Sequence, residues 1–250
     1  MNIDHPTPSQ VPALKELWQA VFLDPGDYIE GFFVHAFSPE RCLCLAVDTQ
    51  VAAMVHWLDM TLGNKKIAYI YAVATRKIYR GRGFCRALMD RAHQILTDRG
   101  YAGTVLVPQS EALFSMYGKM GYGACGGITR IFRAAGEPVS LTPQTWREWN
   151  GRRSEMLPEG SVELTENPAA YLGAIASFWA GEDFLLAGVA EDGVFHGIEL
   201  LGNPEAAPGV LAALGCEEGS FLTPGKTPFA MYRSLDGITP PPEYFGIAFD

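Results

Sequence analysis

The chain has no run of about eighteen uninterrupted apolar residues, so no membrane-crossing helix is expected and no membrane partner. Its first ten residues, MNIDHPTPSQ, lack a basic start followed by an apolar core, which argues against a secretory signal. Cysteine is sparse. The 5 thiols, Cys42, Cys44, Cys85, Cys125 and Cys216, are odd in number and contain no CxxC pair. That predicts reduced thiols in a cytoplasmic protein, with neither a disulfide frame nor a metal site. Positive charge is the remaining shortage. With 19 Lys and Arg against 28 Asp and Glu, the formal charge is −9, which counts against nucleic acid as the main partner. It mildly favours a cationic small molecule, drawn in by the field of the whole protein.

At 250 residues and 48% hydrophobic, the chain can build one large or two small globular domains. Val11, Leu14, Leu17, Trp18, Val21 and Phe22 share one helical face, with Ser9 as the expected cap and Asp24-Pro25-Gly26 as the stop. A short helix over 28–37 follows. Three strand-like runs, 42–47, 51–62 and 66–75, are joined by turn residues and predict an antiparallel meander. Phe84, Leu88, Ala92, Ile95 and Leu96 then mark a long helix closed by Gly100. Behind it come a strand over 103–108, a helix over 111–120 and a strand over 124–132. This order predicts an α/β fold in which parallel and antiparallel connections share one sheet, with helices on both faces. Proline- and turn-rich punctuation over 134–160 sets the expected boundary, giving domains over 1–135 and 136–250. The second, smaller α+β domain reads as a helix over 169–180, a hairpin turning at Glu191-Asp192-Gly193, a short helix over 207–215, a strand over 228–235 and a packed aromatic tail.

One stretch of this acidic chain is locally basic. Residues 80–83 read Arg-Gly-Arg-Gly between a strand and a helix. Glycines there allow close approach to the main chain, and the first turn of a helix has N–H groups without internal partners. Arg80 and Arg82 add formal charge, so the corner is an anion site suited to phosphate. A glycine turn with solvated arginines is the alternative. A dinucleotide-binding GxGxxG loop fits less well, because Arg86 stands where its third glycine belongs.

The stretch VAT…YRGRGFCRALMDRA resembles the acetyl-CoA-binding motif of the GNAT acetyltransferases, [Q/R]-x-x-G-x-G/A, with Ile78 in place of the usual Gln or Arg and Lys77 where many members have proline. A second stretch, EALFSMYGKMGY, resembles the later family motif A-x-x-x-Y-x-K-x-G-[F/Y]. The two resemblances imply the GNAT acyl-CoA N-acyltransferase fold over 1–135. They also imply an acetyl-CoA-dependent N-acetyltransferase that delivers the acetyl group to a primary amine of a small molecule or peptide. Val73, Ala74 and Thr75 would meet the pantetheine arm and the thioester. Arg80, Gly81, Arg82, Gly83, Phe84 and Cys85, with Arg86, would wrap the diphosphate. Cys85 reads as a small packing residue, since direct transfer is the family's usual route. A GNAT-like protein that binds an acyl-CoA or a metabolite without turnover is the alternative reading.

Tyr117 occupies the position of the family's general acid, and a phenol can protonate a leaving thiolate. The amine must first lose a proton, which costs about 4–5 kcal/mol for a lysine-like group at neutral pH. The fourth strand, IAYIYAVAT, has no carboxylate to take it, leaving His56 and Tyr71 as candidates. The VAT-x-x-x-YR-x-x-G stretch also resembles that of mycobacterial enhanced-intracellular-survival acetyltransferases, whose C-terminal carboxylate enters the site. That resemblance implies Asp250 as a third candidate. The hairpin-then-helix of GIELLGNPEAAPGVLAALG has the rhythm of a degenerate second copy, but Pro204, Glu205 and Pro208 replace the Arg-Gly pairs. That half is expected to wall the acceptor pocket or make a homodimer contact rather than hold coenzyme A.

Overall fold

The computed structural model describes residues 2–249. After a short edge strand, β1 (Asn2–Asp4), the predicted apolar face folds as α1 (Val11–Phe22) and buries Leu14, Leu17 and Trp18. Ser9 does not cap it. Pro8–Gln10 forms a tight turn of its own, closed by a reciprocal capping box between Thr7 and Gln10. The helix stops at Leu23, whose backbone turns left-handed at φ 65°, and α2 (Gly26–His35) packs beside it. The meander follows as β2 (Cys42–Val47), β3 (Gln50–Leu62) and β4 (Lys65–Thr75), antiparallel throughout. Next come α3 (Phe84–Asp98), β5 (Gly103–Leu106), α4 (Glu111–Gly118) and β6 (Gly123–Ala134).

The second half adds β7 (Thr142–Gln144), α5 (Trp146–Met156), β8 (Val162–Leu164), α6 (Glu166–Ile175) and β9 (Ser177–Ala180). It continues with β10 (Phe184–Glu191), β11 (Val194–Gly202), α7 (Ala207–Leu214), β12 (Glu218–Pro224) and β13 (Thr227–Ser234). The helix expected over 169–180 ends early. Ala176 is extended, and Ser177–Ala180 pairs with β10, burying Phe178 and Ala180. β12 escaped the sequence reading because Gly219, Ser220 and Pro224 resemble turn residues. Its pairing with both β6 and β11 overrides that local signal.

Among the described residues thirteen strands form one sheet; twelve run in the order β1-β2-β3-β4-β5-β13-β6-β12-β11-β10-β9-β7, which shows how the halves are joined, and β8 pairs with β3 off this path. β13 enters from the second half to lie between β5 and β6. In return, β6 of the first half lies beside β12. Each half contributes an antiparallel meander and a parallel strand–helix–strand crossover, β4-α3-β5 and β11-α7-β12, then passes its last strand across. The expected boundary near 135 is therefore a change of chain rhythm within a continuous sheet.

The face of β3 and β4 beneath α1 and α2 is an aromatic core. His56 lies inside it at 1% exposure, its ring centroid 5.2–6.0 Å from those of Trp18, Phe32, Phe33 and Phe37. Burial lowers its pKa to about 3. His93, on α3, hydrogen-bonds to Tyr122 and faces Arg233; burial first, then the guanidinium, lowers it to about 4. Both imidazoles are neutral in the fold and gain protons in the unfolded chain below pH about 6.5. Stability should therefore be fully present above that pH and fall as the pH drops from about 6.5, until about 4 for His93 and about 3 for His56. The limiting slope is about 1.4 kcal/mol per pH unit for each histidine. Urea midpoints across this window measure it, and His56→Gln should flatten the profile. An unchanged profile would contradict the burial argument.

Candidate functional site

The sheet opens where its two central parallel strands part. β4 and β5 pair only over Ile67–Tyr69 and Gly103–Val105. Beyond Tyr69 they diverge, and residues from both strands line a cavity of about 560 Å³. The edge of β4 turned away from β3 then has no strand to pair with. A register shift sharpens the opening. Met54 pairs with Ala74 but His56 pairs with Tyr71, so Ala72 and Val73 together oppose Val55. Ala72 is held left-handed at φ 48° to make this bulge, a strain of about 1–2 kcal/mol for a residue with a Cβ. Sequence reasoning missed it, because an alanine in an apolar strand carries no such signal.

The basic corner lies at the exit of β4. Gly81 and Gly83 adopt φ 77° and 78°, and Gly83 is the residue that starts α3. A Cβ at either glycine would meet nothing within 4 Å, so the need for glycine is conformational and the loop is not plugged by side chains. Arg80, Arg82 and Arg86 are exposed around it. Arg80 donates to the Thr75 carbonyl at 3.2 Å, Arg86 donates to the Lys119 carbonyl at 3.0 Å, and Arg82 lies over the Tyr79 ring. Unpaired helix amides and guanidinium groups together suit an anion of two charges or more. Phe84 is buried beneath the loop, against α3's own core face.

Val73, Thr75, Arg80, Cys85 and Tyr117 all line the cavity, which brings together much of the site inferred from the two motifs. Cys85 is a protonated thiol, since burial pushes it up to about 11. Tyr117, on α4, is 7% exposed. Burial, with lesser contributions from Cys85 and Tyr122, raises its pKa far above that of a free phenol, so it keeps its proton at neutral pH.

The two internal base candidates fare differently. His56 does not reach the cavity: it is sealed under α1 and α2, its Nδ1 has no hydrogen-bond partner, and burial keeps it neutral but out of reach. Tyr71 does line the cavity, but its hydroxyl donates to the Phe249 carbonyl at 2.7 Å, and burial raises its pKa well above the usual value. Neither property suits a proton acceptor. Asp250 lies outside the described residues.

The residue the sequence did not flag is Asp24. It read only as part of a helix stop. The left-handed turn at Leu23 swings its carboxylate back to α1, where Oδ2 accepts a 2.7 Å hydrogen bond from Trp18 Nε1. Trp18, Phe22, Tyr69, Tyr71 and Phe249 complete that end of the cavity. Among the described residues, Asp24 and Arg80 are the two charged ones that line it. The space therefore has an anion-attracting end at the glycine loop and a cation-attracting, aromatic end beneath α1.

Among the described residues, no three His, Cys, Asp or Glu side chains come together as a metal site requires, and no helix is long and apolar enough to cross a membrane. No curated protein matches the sequence. The chain superposes on a GCN5-related N-acetyltransferase from Kribbella flavida with a TM-score of 0.70 at 18% identity, covering 94% of this chain and 71% of that one. Eis1 from Mycobacterium abscessus gives 0.67 at 12% identity, over 95% and 74%. A putative acetyltransferase from Pyrococcus horikoshii gives 0.64 at 15% identity, over 99% and 94%. At these identities the likeness is one of fold, and it extends through both halves. The acetyltransferase (GNAT) domain model matches residues 2–125, spanning the meander, the glycine loop and Tyr117, and through that domain the chain belongs to the GNAT acetyltransferases.

Proposed function

We propose that the protein is an acetyl-CoA-dependent N-acetyltransferase that acylates the primary amine of a small cationic molecule by direct attack. The observation that carries this reading is the two-ended cavity, with an anion-binding loop at one end and Asp24 among aromatic rings at the other. Acetyl-CoA supplies the acetyl thioester. The amine nitrogen forms a bond to the carbonyl carbon, the carbon–sulfur bond breaks, and the departing sulfur takes up one proton.

The chain's residues divide this work. Gly81, Gly83 and the arginines hold the diphosphate, and the unpaired edge of β4 over Val73–Thr75 offers main-chain groups to the amide-bearing arm. Tyr117, protonated in the resting site, donates its proton to the sulfur as charge develops there and is reprotonated from solvent. Because burial makes the phenol a reluctant acid, its proton crosses only as the carbon–sulfur bond breaks. Asp24 draws the ammonium in, and its partial exposure gives the amine's proton a route to solvent. Aromatic walls add cation–π attraction on the order of 0.5–2 kcal/mol. Cys85, held as a thiol, forms no acyl-enzyme.

Free-thiol release from acetyl-CoA over a panel of amines tests the reading. Turnover with phenethylamine or a related monoamine supports it. Thermal stabilisation by acetyl-CoA with no thiol release from any amine would leave a non-catalytic binding protein instead. Three variants assign the roles. Gly81→Glu should abolish acetyl-CoA binding by calorimetry, whereas Gly81→Ala, with the same backbone strain and no charge, should retain most of it. Tyr117→Phe should lower kcat by roughly 10²-fold with the acetyl-CoA Kd unchanged. Asp24→Asn should raise the amine KM by about tenfold or more, the scale of one charge-assisted hydrogen bond, and spare acetyl-CoA binding. An unchanged amine KM would remove Asp24 from the site.

A further inference from the structure

The second half has a cleft of its own, and it is closed. Its parallel pair, β11 and β12, is in register over Val194–Gly197 and Glu218–Phe221 and parts beyond Gly197, as β4 and β5 part beyond Tyr69. Two residues past the last pair, the first half has Tyr71, which lines the cavity; the second half has Glu199, which is 0% exposed. The turn leading to α7 carries Pro204 and Glu205 where the first half carries its glycines and arginines.

Glu199 is held there by a ring of polar contacts. Arg153 is 1% exposed and grips Glu199 with Nε to Oε2 at 2.7 Å and Nη2 to Oε1 at 2.9 Å. Tyr244 donates its hydroxyl to the same Oε1 at 2.9 Å. The third arm of Arg153, Nη1, donates to the Val162 carbonyl at 3.2 Å, and the Val162 amide donates to the Tyr244 carbonyl at 3.0 Å. Tyr244 is thus held at both its phenol and its main chain. The phenol lies over the chain just beyond it: a Cβ at Gly246 would come within 2.0 Å of the hydroxyl.

From Tyr244 the tail runs toward the acceptor end of the first cleft. Phe245 and Ile247 are buried, and Phe245 packs on Tyr69 with centroids 5.2 Å apart. Phe249 lines the cavity, stacks on Tyr171 at 5.3 Å, and accepts hydrogen bonds at its carbonyl from Tyr28 at 2.6 Å and Tyr71 at 2.7 Å.

We propose that Arg153, Glu199 and Tyr244 form a positioning clamp: the second half's closed cleft fixes the tail so that Phe249 forms the back wall of the acceptor pocket. The clamp acts on the amine and not on the acyl donor, because the tail meets the aromatic end of the cavity and not the glycine loop. The proposal rests on the acceptor reading of that end, so its test uses binding and exchange as well as turnover.

Tyr244→Phe removes one hydroxyl and leaves the ion pair intact. In the full-length protein, hydrogen exchange at the amides of 245–249 should accelerate about tenfold while α3 stays protected. By tryptophan fluorescence, the Kd for phenethylamine should rise about five- to tenfold, the scale of one lost buried hydrogen bond. The Kd for coenzyme A should stay within about twofold. Val210→Ala supplies the contrast. It thins the separate core under α7 and touches no member of the clamp, so amine affinity should hold near wild type even as thermal stability drops. A purely structural role would make affinity follow stability in both variants, and that result would overturn the clamp. So would unchanged tail exchange in Tyr244→Phe, or a freed tail with unchanged amine affinity. If wild-type protein binds phenethylamine but releases no thiol with any amine, the transferase reading fails while the clamp is still judged by these two shifts.

Discussion

The structure depends on a parallel strand pair that is allowed to come apart. A central strand normally has both edges satisfied, and leaving one edge of β4 open inside the molecule would be costly without something to meet it. The protein keeps β4 in place from the other side by a long antiparallel ladder to β3, and it kinks the strand at Ala72 to widen the gap. The cavity, the exposed loop glycines and Tyr117 at its wall all follow from that opening. The same sheet closes the opening's counterpart in the second half with a buried ion pair.

Exchange of the last strands makes the two halves interdependent. Because β13 completes the first half beyond β5 and β6 borders β12, neither meander finishes its sheet alone. A chain of duplicated rhythm can then divide its labour. One cleft keeps glycines, arginines and the protonated Tyr117; the other half keeps Arg153 and Glu199, which gain little net stability from each other but are severely penalised if separated. Retaining such a pair in a position that could hold apolar residues is consistent with fixing a particular geometry, here that of Tyr244 and the tail beyond it.

Much of this was legible in the sequence, for identifiable reasons. The meander, α3 and the anion loop show strong periodicity and glycine placement, and local rules govern them. Gly81 and Gly83 were marked by the motif, and their positive φ values give the physical reason. What the sequence hid depends on distance along the chain. Asp24 reads as a helix stop until the left-handed Leu23 turns it beneath Trp18. His56 looks available until α1 and α2 cover it. β12 and β9 are strands only because neighbours far away in sequence pair with them. The link between Arg153, Glu199 and Tyr244 spans 91 positions, from 153 to 244, with no local signature at any of the three.

A crystal structure with coenzyme A tests the central claim most directly. The account predicts the diphosphate against the amides of Gly81–Phe84, the pantetheine arm along the free edge of β4, and the sulfur within hydrogen-bonding reach of the Tyr117 hydroxyl. Coenzyme A seated in the second half, or with its sulfur turned away from Tyr117 and the Asp24 end of the cavity, would contradict it.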